Sequence, residues 1–328
     1  MDSIVIADDL RKYFPVEKSF IERIFSKGKI YVKAVDGVSF RVQRGEVFGL
    51  VGESGSGKTT TGLMITGLIK PTSGNIIFNG LNIANLHPKD LQQLRKKIQM
   101  VFQDPTSSLN PRMKIGDAIE EPLKIHGVGS PRERRGMIIE ALQKVGLNPS
   151  FMDRFPHELS GGQRQRVVIA RAIILRPELI VADEPVAMVD VSVRAQILDL
   201  LLNLKNEYGL TYMFITHDLS AASYICDRIA VMYLGKIVEL ASTDELFGNP
   251  MHPYTKALIS AVPVPDPRLR REKFIPAGEI PSPINPPSGC RFHSRCPYAI
   301  KPCKINEPAL EEVSPGHFAA CPVLPFSR

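Results

Sequence analysis

The sequence predicts an α/β fold on a buried parallel sheet, with an inserted helical subdomain and a proline-rich, metal-stapled tail. Three observations carry that expectation. The runs Val47–Val51, Leu179–Ala182 and Tyr212–Thr216 are almost uniformly apolar, as strands covered on both faces must be. Residues 112–158 switch to helical periodicity, which marks an insertion spanning about 104–162. After Ala261 the composition changes, with fourteen of the 27 prolines falling between Pro263 and Pro325. Domains are therefore expected at 1–262 and 263–328.

With 44% hydrophobic and 23% charged residues, the 328-residue chain has an ordinary globular composition and can bury a sizeable core. No apolar run approaches the roughly 18 residues of a membrane span, and no charged-then-apolar signal pattern opens the chain, so a cytoplasmic location is expected. The net charge of +7 fits a solvated basic surface better than a nucleic-acid or lipid partner. Its densest stretch, Lys18 to Lys33, reads as a solvated loop.

In chain order, Ile4–Ala7 reads as a strand leading to Tyr13 and Phe14. Val32–Val42 reads as further strand around an Asp36-Gly37 turn, and together they suggest an antiparallel element beside the core. An aromatic at its edge can stack on adenine, or simply be a half-buried ring. Next comes Gly52-Glu53-Ser54-Gly55-Ser56-Gly57-Lys58-Thr59, between the apolar strand and a helix opening at Thr60. That context makes G-x-x-x-x-G-K-[ST] a phosphate site. The glycines let backbone N–H groups face phosphate oxygens, Lys58 reaches the β- and γ-phosphates, and the Thr59 hydroxyl ligates Mg²⁺.

Asn75–Phe78 with Asn79-Gly80 reads as a short hairpin, Pro88–Lys97 as a helix, and Ile98–Phe102 as a strand ending at Gln103. Gln103 can reach Mg²⁺ or the attacking water, or be a plain polar strand end. Ser130-Pro131-Arg132-Glu133 is a full helix start. Leu159-Ser160-Gly161-Gly162-Gln163 opens a basic helix expected to run through Arg176, and makes a second anion-binding helix start. One nucleotide cannot easily use both starts within a monomer, whereas a head-to-tail dimer uses both. Asp183, at the end of its strand, is placed to hold the Mg²⁺ shell, and Glu184 to orient or deprotonate the water attacking the γ-phosphate. His217, after the strand Tyr212–Thr216, can donate to the γ-phosphate.

Cys226 stands alone in an apolar helical stretch and reads as core. Cys290, Cys296, Cys303 and Cys321 are separated by five, six and seventeen residues, and in a cytoplasmic chain such a cluster points to metal rather than disulfides. The gaps match neither the roughly two-to-four-residue spacing of structural zinc pairs nor ferredoxin-type Cys-x-x-Cys, leaving iron–sulfur, zinc and free thiols open.

Gly52–Thr59, Gln103, Leu159–Gln163, Asp183-Glu184, Asp190 and His217 stand in the order of the ATP-binding cassette (ABC) family, and the chain resembles that family over roughly residues 3–260. The resemblance implies a P-loop nucleotide-binding domain whose dimer sandwiches two ATP between one subunit's phosphate loop and the other's Ser160-Gly161-Gly162-Gln163 and Asp190. It implies Phe14, ahead of Tyr13, as the adenine-stacking aromatic. Val101-Phe102-Gln103-Asp104-Pro105, Ser108-Leu109-Asn110-Pro111 and Asn249-Pro250-Met251-His252-Pro253-Tyr254-Thr255 look like the ATPases of dipeptide and oligopeptide importers. The loop after Phe14 and Asn110-Pro111-Arg112 resemble their F-type subunit. One departure is Ala187-Met188-Val189 before Asp190, where the family usually has Ser-Ala-Leu.

The resemblance implies a peripheral protein at the cytoplasmic membrane face, paired with a paralogous ATPase or itself. Its other partners would be two permease subunits, with Gln103–Met113 near their contact, and an extracytoplasmic binding protein, with no nucleic acid. The tail from Gly289-Cys290 to Cys321-Pro322 is similar to tails that hold a [4Fe-4S] cluster on the four cysteines, with Zn²⁺ the alternative. A soluble cassette ATPase acting on nucleic acid or ribosomes would want a coiled-coil insertion or tandem cassettes. An importer of nickel chelates or oligosaccharides would share these same motifs.

Overall fold

The computed structural model describes residues 2–16, 30–262 and 278–323. Most of Lys18–Lys33, and the proline-rich stretch after Val262 as far as Ala277, lie outside the described residues. The chain forms two compact units. A helix-rich unit takes Gln43–Val47 and Asn85–Ile215, and a β-rich unit takes Ser3–Val42, Phe48–Ala84 and Thr216 onward.

The β-rich unit begins with β1 (Ser3–Pro15), β2 (Tyr31–Gln43), β3 (Val47–Val51), α1 (Lys58–Ile65), β4 (Ser73–Phe78) and β5 (Leu81–Asn82). Strands β2-β1-β4-β5 form an antiparallel sheet. In it Val5 faces Phe78, with a bulge between Asp8 and Arg11. The expected hairpin is present, and Asn79 and Gly80 both take the positive φ, 48° and 79°, that a tight hairpin turn needs. The expected turn at Asp36-Gly37 is absent, because β2 runs straight through it. Gly37 does take a φ of 80°, but the Asp36 carboxylate that would cap a turn is held instead by the Tyr13 hydroxyl and the Arg291 guanidinium. The Asp36 N–H donates to the Gly235 carbonyl at 2.9 Å.

The helix-rich unit holds α2 (Pro88–Lys97), β6 (Ile98–Val101), α3 (Pro105–Ser108), α4 (Ile115–Ile125), α5 (Pro131–Lys144), α6 (Gly161–Ile173), β7 (Leu179–Asp183), α7 (Val191–Tyr208) and β8 (Thr211–Thr216). Strands β6, β7 and β8 are parallel, with Ile98 beside Leu179 and Asp183 beside Ile215. All of β7 and β8 is buried, as their uninterrupted apolar runs require. Helix α6 stops at Ile173, short of Arg176. Pro177 disfavours helical geometry in the residue before it, and Arg176 turns to a φ of 49°.

The β-rich unit resumes with α8 (Leu219–Ile225), β9 (Arg228–Tyr233), β10 (Lys236–Ser242), α9 (Thr243–Gly248), α10 (Pro253–Ala261), α11 (Lys301–Ile305), β11 (Glu311–Ser314) and β12 (His317–Ala319). Strand β9 lies parallel to β3 and antiparallel to β10, turning at Leu234-Gly235 with φ of 43° and 80°. Cys226 is buried at the C-terminal end of α8. A tail this rich in proline cannot build a regular core of its own, and it borrows one. Strand β12 adds to the free edge of β10, with Glu239 beside Ala319 and Leu240 beside Phe318. Phe292 packs against Tyr233 at 5.3 Å and Tyr254 at 5.4 Å between ring centroids.

Candidate nucleotide site

The phosphate loop lies in the β-rich unit, where buried β3 delivers Gly52 and α1 begins at Lys58. Its glycines are stereochemically required. Gly57 has a φ of 105°, and a Cβ there would sit 2.2 Å from the Ala34 carbonyl oxygen. Lys58 is almost fully buried, and its Nζ donates to the carbonyls of Gly52 at 2.7 Å and Glu53 at 2.9 Å, so the ammonium lies inside the curl of the loop. Ser56 Oγ is buried with no hydrogen-bond partner among the described residues. A buried unpaired hydroxyl is costly. Ser54, Gly55 and Thr59 are exposed, so the loop is open to an incoming anion. Charge, backbone and hydroxyl together fit a triphosphate.

Three contacts fix the loop from outside. The Gly235 N–H donates to the Ser56 carbonyl at 2.8 Å. The Glu53 N–H donates to the Tyr254 hydroxyl at 2.9 Å, and the Glu53 carboxylate faces Arg295, with Nη1 to Oε2 at 3.0 Å and Nη2 to Oε1 at 3.4 Å. Sequence reasoning missed these partners. Tyr254 belonged to a recognisable motif that carried no role, and Arg295 had no local signal at all.

Of the two aromatics near the end of β1, Tyr13 is engaged through its hydroxyl on Asp36. Phe14 is 39% exposed, with Lys12 Nζ 5.2 Å from its ring centroid, and is the ring available for stacking.

The helix-rich unit carries the acidic and signature residues. Asp183 is buried at the end of β7. Glu184 follows with a φ of 47°, its N–H donating to the Ile215 carbonyl at 2.8 Å, so its position is tied to the end of β8. His217, which belongs to the β-rich unit, is exposed one residue beyond β8. Gln103 is exposed beyond β6, followed by Asp104, which caps α3 through the Thr106 N–H at 2.7 Å. That hydrogen bond holds the Asp104 carboxyl below its ordinary pKa.

Ser160 caps α6, accepting from the Gln163 N–H at 3.3 Å, while Gln163 Oε1 accepts from the Ser160 N–H at 3.0 Å. This capping box commits the Gln163 side chain to the turn and leaves Ser160 exposed. Gly162 lies against α7, where a Cβ would fall 2.8 Å from Val193 Cγ1. Asp190 is the residue before α7.

The four tail cysteines fit a metal centre in type and number. Cys290 and Cys303 are buried, the Cys290 N–H donates to the Cys303 carbonyl at 2.8 Å, and each of the other three thiols acts electrostatically on Cys321. Burial pushes the Cys290 and Cys321 thiols up to about 11, with backbone N–H groups of Phe292 and Val323 opposing it. Yet among the described residues no group of three or more His, Cys, Asp or Glu side chains forms a metal-holding set. The expected metal-stapled arrangement is therefore not formed among the described residues.

A P-loop cassette is thus defined by the loop, the acidic strand end and the capped signature helix. The ABC transporter profile matches residues 35–187, and the profile of the oligopeptide/dipeptide transporter C-terminal region matches residues 238–303. The oligopeptide transport ATP-binding protein AppF of Bacillus subtilis (strain 168) is 51% identical over 323 residues, covering 98% of this chain and 97% of that protein. The dipeptide transport ATP-binding protein DppF of Haemophilus influenzae is 50% identical over 312 residues, covering 95% and 94%. Among solved structures, the dimeric bacterial ABC transporter cassette MJ0796 gives a TM-score of 0.64 at 31% identity, covering 73% of this chain and 98% of that one. The chain belongs to the ATP-binding subunits of ABC transporters, in their oligopeptide/dipeptide branch. As such it is an ATPase. Among the described residues no helix is long and apolar enough to cross a membrane.

Proposed function

We propose that the chain hydrolyses ATP as one half of a dimer at the cytoplasmic membrane face, energising uptake of dipeptides or oligopeptides through two permease subunits. The observation that carries the ATP site is Lys58, its ammonium held within the loop by two backbone carbonyls, together with a Ser56 hydroxyl that is buried and has no hydrogen-bond partner among the described residues. Gly52–Thr60 hold the phosphates and Phe14 stacks on adenine. Thr59, Gln103 and Asp183 would hold Mg²⁺, which would supply positive charge to the triphosphate. Glu184 orients or deprotonates the attacking water, and His217 donates to the γ-phosphate, so that the terminal phosphoryl group passes to water and ADP remains. Ser160, Gly161, Gly162, Gln163 and Asp190 serve the partner's nucleotide. The partner is a paralogous subunit or a second copy, working with an extracytoplasmic binding protein. In this reading residues 1–262 are the nucleotide-binding domain, with a helical subdomain at about 104–162.

Glu184→Gln tests the reading directly. Turnover should fall by at least about a hundredfold, the scale of a lost general base, while ATP affinity is kept and ATP drives dimerisation. Undiminished turnover would remove Glu184 from its role, and a monomer under those conditions would remove the dimer.

For residues 263–328, the supported reading is a four-cysteine metal centre of structural role, iron–sulfur ahead of zinc. Its support is the number of cysteines and the similarity of Gly289-Cys290 to Cys321-Pro322 to tails that hold such a cluster. Anaerobically purified protein should contain iron and acid-labile sulfide. Colourless protein with one zinc per chain would replace the cluster with zinc.

A further inference from the structure

The segment between Cys290 and Cys296 carries Arg291 and Arg295, and both reach back to the nucleotide end of the β-rich unit. Arg295 forks onto the Glu53 carboxylate at 3.0 and 3.4 Å, and its guanidinium lies 5.8 Å from the Phe292 ring centroid and 5.9 Å from that of Tyr233. Its side chain is only 10% exposed, against 29% for that of Glu53. Glu53 is the second residue of the phosphate loop, an acid in a place whose chemistry is anion binding. Its N–H is also occupied, by the Tyr254 hydroxyl at 2.9 Å. The carboxylate therefore has a fixed position, turned onto a buried cation from the tail.

We propose that Arg295 is a positioning residue for ATP, neutralising Glu53 so that the loop does not repel the triphosphate, and that the tail thereby completes the nucleotide site in cis. The inference rests on the reading that Gly52–Thr59 holds ATP. A carboxylate left without its cation beside a polyphosphate repels it, and the partly buried setting screens that repulsion less than bulk water does. The aromatic clamp explains why arginine is used. Its planar fork meets both carboxylate oxygens while its face lies near the rings, which a lysine cannot reproduce.

The test is a double-mutant cycle on the full chain, measuring equilibrium Mg²⁺-ATP affinity and, separately, KM and kcat. Arg295→Met should weaken ATP binding about three- to tenfold and raise KM with kcat little changed, the scale of an uncompensated, partly exposed charge. Adding Glu53→Gln should restore binding to within about twofold of wild type, since the repelling charge is then gone. Arg295→Lys should fall between the two and guards against misfolding of the methionine variant, with melting temperature followed for each. Unchanged affinity in Arg295→Met, or a double variant no better than Arg295→Met alone, would overturn the proposal, because a purely structural arginine gains nothing from Glu53→Gln. Lys58→Ala separates this from the underlying reading. If that variant binds ATP as wild type does, the loop assignment fails, whatever Arg295 does.

Discussion

Glu239 is fully buried on β10 and accepts from the N–H groups of Met251 at 2.6 Å and His252 at 2.8 Å. Its third partner, His317 Nε2 at 2.7 Å, comes from the tail. The hydrogen bond to Glu239 raises the His317 pKa above its ordinary value, against the opposing effect of burial. A raised folded value means stability that is complete below about pH 6.5 and is lost as pH climbs through the folded pKa. His317→Gln should therefore lose stability relative to wild type near pH 6 and approach it in alkaline solution, read by urea unfolding at several pH values. His252 behaves oppositely. Burial holds it down to about 4, and its Nδ1 accepts from the Tyr254 N–H at 3.0 Å, which requires that nitrogen to be unprotonated. Here stability is present above about pH 6.5 and is lost as pH falls toward 4. His252→Asn, which keeps an acceptor at the same cap, should abolish that acid-side loss, an effect on the order of 3 kcal/mol at most.

Two helices begin with the same device, and the pair forms an internal control. In α5 the Ser130 Oγ accepts from the Glu133 N–H at 3.4 Å, and Glu133 Oε2 accepts from the Ser130 N–H at 2.6 Å. In α6 the corresponding pair is Ser160 and Gln163. Removing either hydroxyl should cost about 1 kcal/mol of stability through the cap. Ser130→Ala should leave ATP turnover of the assembled dimer unchanged, whereas Ser160→Ala should lower it severalfold, because only that hydroxyl is proposed to meet the partner's nucleotide. Equal turnover in both variants would reduce Ser160 to a helix cap. These elements were legible in the sequence because each carries its own signal: an N-cap with Glu or Gln three residues on, or an Asn-Gly pair between strands. Strand β2 was misjudged at Asp36-Gly37 for the converse reason. A turn-forming pair was outvoted by Tyr13 and Arg291, residues distant in the chain that took over the carboxylate.

At the scale of the β-rich unit, the tail is joined to it by charge as well as by strands. Arg291 donates to the Leu234 carbonyl and to Asp36, Arg295 holds Glu53, and His317 pairs with Glu239. Cutting the chain after Val262 would strip buried Asp36 and Glu239 and half-buried Glu53 of these cations and bare the edge of β10. Breaking even one buried pair typically costs about 3–5 kcal/mol, and an exposed strand edge invites association. The truncated protein should therefore melt well below the full chain and aggregate, as calorimetry and light scattering would record. A truncated form as stable and monodisperse as the whole would show these ion pairs to be passive.

What the sequence determined alone was the chemistry that is written locally: a glycine-rich turn between a buried strand and a helix, two carboxylates after four apolar residues, a serine opening a helix before two glycines. Such signals survive because the backbone geometry they impose depends on only a few consecutive residues. Only the tertiary structure decided that Glu53 answers to Arg295, that Glu239 answers to His317, and that a proline-rich tail finds its core against Tyr233 and Tyr254. Those pairings join residues tens to hundreds of positions apart, and a buried charge takes as its partner whatever cation the fold places beside it.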